Sequence, residues 1–217
     1  MGSIIARWER STHVLTIAKL GNVGLSMLWG FAVTFVFVRV LPPGDFRAFL
    51  LLVAFNNFTI SAEFGLTNII YARLRRYWLS LQNSRESSRD FRLEEIGVLF
   101  LFLLALIFGA LLLLGLALAT GIIKSGAPIL FLLFFLASAL NVQALLAKRG
   151  LAAIDHNLAW ELLDLLRRLL SLAALVAVLF GFDLIASVVV QLVTSAVAIM
   201  RSEEHTSELQ SSLNISY

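Results

Sequence analysis

The sequence predicts an all-α fold: a polytopic bundle of about six transmembrane helices. Three observations predict it. Of 217 residues, 59% are hydrophobic and only 14% are charged, against about 25% charged in soluble domains. The mean hydropathy is +0.90, which implies more apolar surface than a soluble fold of this length can hide. The apolar residues gather in runs near the ~20 residues that cross a hydrocarbon core, and the loops between the runs alternate in charge.

Span 1 covers about Asn22–Leu41 and stops at Pro42-Pro43-Gly44, a sequence that cannot continue a helix and turns tightly. Small residues Gly21, Gly24 and Ser26 allow close helix contact there. Span 2 runs about Phe46–Tyr71. Tyr71–Leu81 then sets apolar residues among arginines, as an interfacial helix does. Ser88 precedes Phe91–Ile96, where Glu94 and Glu95 suit a helix N-terminus. Span 3, about Ile96–Ala119, is nearly pure Leu, Phe and Ala. Thr120-Gly121 and Gly126-Ala127-Pro128 bracket the turn into span 4, about Ala127–Ala147. The segment LAWELLDLLRRLL, Leu158–Leu170, puts Glu161, Asp164 and Arg168 on one helical face. It reads as a cytoplasmic extension of span 5 with self-paired charges. Span 5 itself is about Leu169–Phe180, reaching back toward Trp160. Gly181-Phe182-Asp183 turns the chain into span 6, about Leu184–Met200, so residues 1–200 form one six-helix unit.

After Met200 the composition changes abruptly. RSEEHTSELQS, Arg201–Ser211, is the translation of a widely used sequencing adapter. Ile215, Ser216 and Tyr217 fit a later adapter segment in a consistent frame; Ser212 does not fit. Residues 201–217 are therefore expected to be non-native, and the native product to continue past Met200. His205 and the sequon Asn214-Ile215-Ser216 carry no weight on that expectation.

Basic residues set the expected orientation. One side holds Arg7, Arg10, Lys19, Arg73, Arg75, Arg76, Arg85, Arg89, Arg92, Lys148, Arg149, Arg167 and Arg168; the other holds Arg39, Arg47 and Lys124. The richer side is cytoplasmic by the positive-inside rule, which puts the N-terminus inside. The high isoelectric point, 9.7, is on this reading a matter of topology, and no nucleic-acid partner is expected. The polar N-terminal stretch lacks the apolar core of a signal peptide.

Catalytic patterns are missing from the sequence. There is no cysteine, hence no thiolate nucleophile, disulfide or Cys-based metal site. There is no HExxH, P-loop, GxSxG or Gly-rich dinucleotide turn. Neither an enzyme nor a cofactor is expected. His156 beside Asp155 reads as a solvated pair.

Ionisable and polar residues inside spans are the functional candidates. Glu63 lies eight residues before Tyr71, about 12 Å from the inner boundary at 1.5 Å per residue. Two readings stand: a proton or cation site, or a structural carboxyl bonded to a neighbouring helix or water. Asn56 sits two turns before Glu63 on the same stripe, with Asn57 beside it. Amides in lipid serve as interhelical glue, and Asn141, Gln143 and Gln191 carry the same reading. Arg39 and Arg47 flank the first turn. Each either snorkels to headgroups or meets a phosphate in a translocation cavity. Lys19 and Asn22 flank the inner mouth of span 1.

The stretch RVLPPGDFRAFLLLVAFNNFTISAEFGLTNIIYARLRR, Arg39–Arg76, resembles the start of the oligosaccharide-lipid flippases, including O-antigen and capsular polysaccharide exporters. These belong to the multidrug/oligosaccharidyl-lipid/polysaccharide exporter superfamily. The matching positions are Arg39 and Leu41, the turn Pro42–Asp45, Phe46, and the acidic-Phe-Gly-Leu element Glu63-Phe64-Gly65-Leu66. Arg47 stands where the family usually has Gly, and Glu63 where it usually has Asp. The resemblance implies one lobe of a two-lobe, twelve-or-more-helix transporter of a bacterial cytoplasmic membrane. Such a transporter moves lipid-diphosphate-linked oligosaccharide to the periplasmic leaflet by alternating access, coupled to a cation (H+ or Na+). Arg39 would meet the diphosphate, and Glu63 would be a proton or cation site or a tie within the lobe. Two other functions stay open: a multidrug or cation antiporter of the same superfamily, and a membrane-embedded partner or enzyme of polyprenyl-linked sugar assembly. The latter would use the acidic cluster Asp155, His156, Glu161 and Asp164.

Overall fold

The computed structural model describes residues 12–82, 94–155 and 157–214, and among them every element is helical. Arg7, Arg10, Arg85, Arg89, Arg92 and His156 lie outside the described residues, as does the expected helix start at Ser88. The helices are α1 (Thr12–Val40), α2 (Pro43–Ser61), α3 (Leu66–Gln82), α4 (Glu94–Ala119), α5 (Pro128–Ala153), α6 (Asn157–Ala177) and α7 (Leu184–Asn214). A 3-10 turn, Val178–Phe180, extends α6.

The breakers act where the sequence puts them. Pro43 opens α2, where its fixed φ suits a helix start and its missing N–H costs nothing. Gly181 takes φ 96 at the end of the 3-10 turn, a left-handed conformation that glycine adopts without strain. Asp183 then caps α7 by accepting from the Ala186 N–H at 2.9 Å.

Several boundaries differ from the sequence reading, beginning with α1, which starts at Thr12 and not near Asn22. Span 2 is two helices, because residues 62–65 form a turn; Phe64 at φ 51 and Gly65 at φ 75 cannot continue an α-helix. The helix expected to begin near Tyr71 therefore starts at Leu66. Lys148 and Arg149, expected in a loop, are on α5, which runs to Ala153. α7 continues to Asn214, past Met200; residues such as Glu, Leu and Gln are good helix formers whatever their origin.

Among the described residues five segments are long and apolar enough to cross a membrane: His13–Val40, Pro43–Ser80, Glu94–Ala119, Pro128–Ala153 and Leu184–Arg201. α6 is also long enough, but it carries Glu161, Asp164, Arg167 and Arg168. α5 is the central helix: 61% of its apolar window is buried, against 17–22% for α1, α2–α3 and α4. It touches α7, α3, α4 and α2, while α1 packs chiefly on α6. Ala137, Ser138, Ala139 and Ala144 are buried on α5, small residues that let neighbouring backbones approach. At one end of the bundle Phe37, Phe49 and Phe134 form an aromatic knot with ring centroids 4.4–5.4 Å apart. Asp45 joins two turns at that end by accepting from the Gly126 N–H at 2.7 Å.

Candidate functional site

The break between α2 and α3 is built by its own sequence. With Phe64 and Gly65 left-handed, the first amides of α3 lack helical acceptors. The Glu63 carboxylate supplies them: Oε2 accepts from the Gly65 N–H at 2.9 Å and Oε1 from the Thr67 N–H. Glu63 is 8% exposed and Thr67 fully buried. A carboxylate at a helix N-terminus is also favoured by the helix dipole. Depth follows from helix rise. Arg73, whose guanidinium lies 2.7 Å from Glu95 at the start of α4, is about 15 Å along the helix from Glu63 at 1.5 Å per residue. In the other direction Asp45 is about 27 Å away on the same measure. The break thus falls inside the apolar length of the segment. The partners of the Glu63 carboxylate are backbone amides of its own chain segment, not groups of a neighbouring helix.

Asn56 is half-buried, and its Oδ1 has no hydrogen-bond partner among the described residues. Asn57 is exposed. The stripe expected to join Asn56 to Glu63 stops at Ser61, where the helix ends.

A second polar centre lies between α5, α6 and α7. Arg167 is 7% exposed and Asp164 4%. Oδ1 of Asp164 accepts from Nη2 of Arg167 at 2.6 Å and from Nε at 3.0 Å, while Oδ2 accepts from Nε of Arg168 at 2.9 Å. Nη1 of Arg167 donates to Asn141 Oδ1 at 3.2 Å and to Ser195 Oγ at 3.0 Å. Six residues away on α6, Glu161 is 2% exposed; it meets Lys148 Nζ at 2.9 Å and accepts from Asn22 Nδ2. Asn22 also donates to the Glu161 carbonyl at 2.9 Å. Thus α1, α5 and α7 are all tied to α6 through charge-assisted bonds, the strong kind.

Arg167 and Arg168 are on a helix and paired within it, as expected of an extension of span 5, but they do not both belong to the cytoplasmic surface. Arg167 is inside the bundle, and removing the pair leaves eleven basic residues against three in the orientation count. The sequence reading found the shared face of Glu161, Asp164 and Arg168 but missed that it points inward. The signal was present: Leu162, Leu166, Leu169 and Leu170 are the exposed face, so the helix is polar inside and apolar outside. That pattern suits a helix surrounded by lipid, the reverse of a soluble one.

Arg39 and Arg47 are both exposed, on either side of the first turn. The Arg39 guanidinium stacks 4.2 Å from the Phe35 ring centroid. Arg39 and Glu63 are not brought together: α2 between them, Pro43 to Ser61, is about 28 Å long at 1.5 Å per residue. Gln143 does tie two helices, donating to the Phe100 carbonyl at 3.2 Å. Of the acidic cluster expected near the surface, Glu161 and Asp164 are buried in the ties above and Asp155 pairs with Arg75 at 2.7 Å. Among the described residues no three His, Asp or Glu side chains converge as a metal site would require.

The chain matches no family model, no curated protein and no solved structure.

Proposed function

We propose that this chain is a six-span lobe of a membrane transporter that moves lipid-linked oligosaccharide across a bacterial cytoplasmic membrane by alternating access, with the N-terminus cytoplasmic. α6 is span 5 on this reading and brings the count from five to six, its charges turned into the bundle and its leucines toward lipid. The observation that supports transport is the interrupted helix at Glu63-Phe64-Gly65, which coincides with the acidic-Phe-Gly-Leu element of the resemblance. Irregular backbone at membrane depth is tolerated where protein or a wet cavity receives it, and broken helices are a recurring feature of transporter sites. The exposed amide of Asn57, one turn and a half before the break, fits a wall that faces a cavity or a second lobe. Arg39 and Arg47 would receive the diphosphate at the outer end, and a cation (H+ or Na+) would drive the cycle.

The test is translocation of a fluorescent lipid-diphosphate-linked oligosaccharide in proteoliposomes. A chain extended past Met200 in the native frame should translocate it, and the 217-residue chain alone should not. Arg39→Ala in the extended chain should reduce the rate. Translocation of a cationic drug with no effect on the sugar lipid would move the assignment to an antiporter of the same superfamily.

A further inference from the structure

Arg168 stands near the middle of the helical run from Asn157 to Phe180, about 17 Å from either end at 1.5 Å per residue. An arginine so deep in a span cannot carry its charge to either headgroup layer, as one near a helix end does. It belongs to the stripe Glu161, Asp164, Arg168, Ser171 and Leu175, spaced three and four apart on one helical face. The other four are 2–5% exposed, whereas the Arg168 side chain is 27% exposed. The exposed leucines Leu162, Leu166, Leu169 and Leu170 occupy the opposite face, so the opening beside Arg168 is on the inward side of α6. α1 and α7 pack closely on α6 and α5 only lightly, which leaves that side incompletely covered.

The charges around this opening do not balance. Asp164 is one carboxylate between two guanidinium groups. Its Oδ1 is taken twice by Arg167 and its Oδ2 by Nε of Arg168. Glu161 is matched by Lys148. α1 and α5 carry no acidic residue, and α7 none before Glu203. Nη1 of Arg167 is used on Asn141 and Ser195, but Nη1 and Nη2 of Arg168 meet no acceptor among the described residues. One net positive charge is therefore held inside the bundle, with two unused donor groups at an opening. Charge at such depth is costly unless paired and marks a functional site.

We propose that Arg168 binds a phosphate of a lipid-linked diphosphate at mid-membrane, Nη1 and Nη2 each donating to one phosphate oxygen. The planar fork of a guanidinium matches two oxygens of one phosphate, which an ammonium does not. A lipid chain is what brings a phosphate to this depth, because a free one is held by its hydration in water. The choice of ligand rests on the transport reading, to which Arg168 adds a station at the midplane, where transporter sites are commonly built.

Isothermal titration calorimetry of the full 217-residue chain in detergent tests this with geranyl diphosphate, inorganic diphosphate and decanoate. Geranyl diphosphate should bind more tightly than either of the others. Arg168→Lys keeps a charge beside Asp164 but loses the fork, and its affinity should fall about tenfold, the worth of one charge-assisted hydrogen bond. Arg168→Gln leaves Asp164 paired with Arg167 and the centre neutral. It should lower affinity about a hundredfold, the worth of two such bonds, while the unfolding midpoint stays level or rises. Equal affinity of the unaltered chain and Arg168→Lys overturns the proposal, as does inorganic diphosphate or decanoate binding as tightly as geranyl diphosphate. Two results separate this site from the transport reading. Binding that depends on Arg168, in an extended chain that translocates no sugar lipid, keeps the site and loses transport. Translocation undiminished by Arg168→Gln keeps transport and loses the site.

Discussion

Asp164 and Arg167 stand one turn apart on α6 and are joined at 2.6 Å inside the bundle. The same carboxylate holds Arg168, and the same guanidinium reaches Asn141 on α5 and Ser195 on α7. One ion pair therefore sets the register of three helices. A buried pair of this kind adds little net stability compared with well-packed apolar residues, yet breaking it from one side leaves a bare charge.

Asp164→Ala should accordingly destabilise the bundle by about 3–5 kcal/mol, because Arg167 and Arg168 are left without their carboxylate. The double change Asp164→Leu with Arg167→Met should recover most of that loss. Unfolding in mixed micelles measures both. Additive losses in the double variant would show that Arg167 is held by Asn141 and Ser195 without need of Asp164.

The glycines of α1 make a second contrast. A Cβ on Gly21 would sit 3.0 Å from Leu165 Cδ1 on α6, while one on Gly24 would meet nothing within 4 Å. Gly21→Leu should force α6 away beside the Asn22–Glu161 tie and cost about 1–3 kcal/mol, the usual range of overpacking. Gly24→Leu should stay within about 0.5 kcal/mol, as surface changes do. Equal effects at the two positions would remove the α1–α6 contact as the cause.

These contacts also show what the sequence could reveal. Hydropathy and turn chemistry were enough to find every apolar span and to stop α1 at Pro42, since both are local properties. The small-residue pattern named Gly21 and Gly24 together, and only the packing of Leu165 separates them. The break at Glu63 was hidden because Ala62, Glu63 and Phe64 are acceptable helix residues; Gly65 was the sole hint, and a single glycine inside a helix pattern is tolerated. Asn141 was named as interhelical glue, but its partner Arg167 had been counted among the cytoplasmic charges of a helical extension of span 5. Charge in a membrane sequence reads as an end or an anchor until the apolar face around it is traced, and on α6 that face is Leu162, Leu166, Leu169 and Leu170.

Glu63 can be tested as a cap directly. Glu63→Ala removes the acceptor of two backbone N–H groups, and each buried amide left unpaired costs about 1–3 kcal/mol. Hydrogen exchange at Gly65 and Thr67 should quicken, with the rest of α3 little changed. Glu63→Gln retains one carbonyl oxygen and should protect the amides in part. Exchange at Gly65 and Thr67 that is indifferent to Glu63→Ala would leave the carboxylate free for a cation and favour the other reading of this residue.

The choice between five spans and six turns on α6, whose Leu162 and Leu166 are 49% and 54% exposed. If this face meets lipid, Leu166→Lys places an ammonium near the middle of a span, which costs about 2.5–3.5 kcal/mol of insertion. If it meets water, the same change should be almost neutral. The chain has no cysteine, so single-cysteine labelling needs no prior removal of native thiols. Leu166→Cys should resist a membrane-impermeant maleimide from either side of a sealed vesicle, while Arg76→Cys and Lys124→Cys should label from opposite sides. Ready labelling at position 166 would place α6 in water, reduce the bundle to five crossings, and put the two ends of the apolar chain on different sides of the membrane.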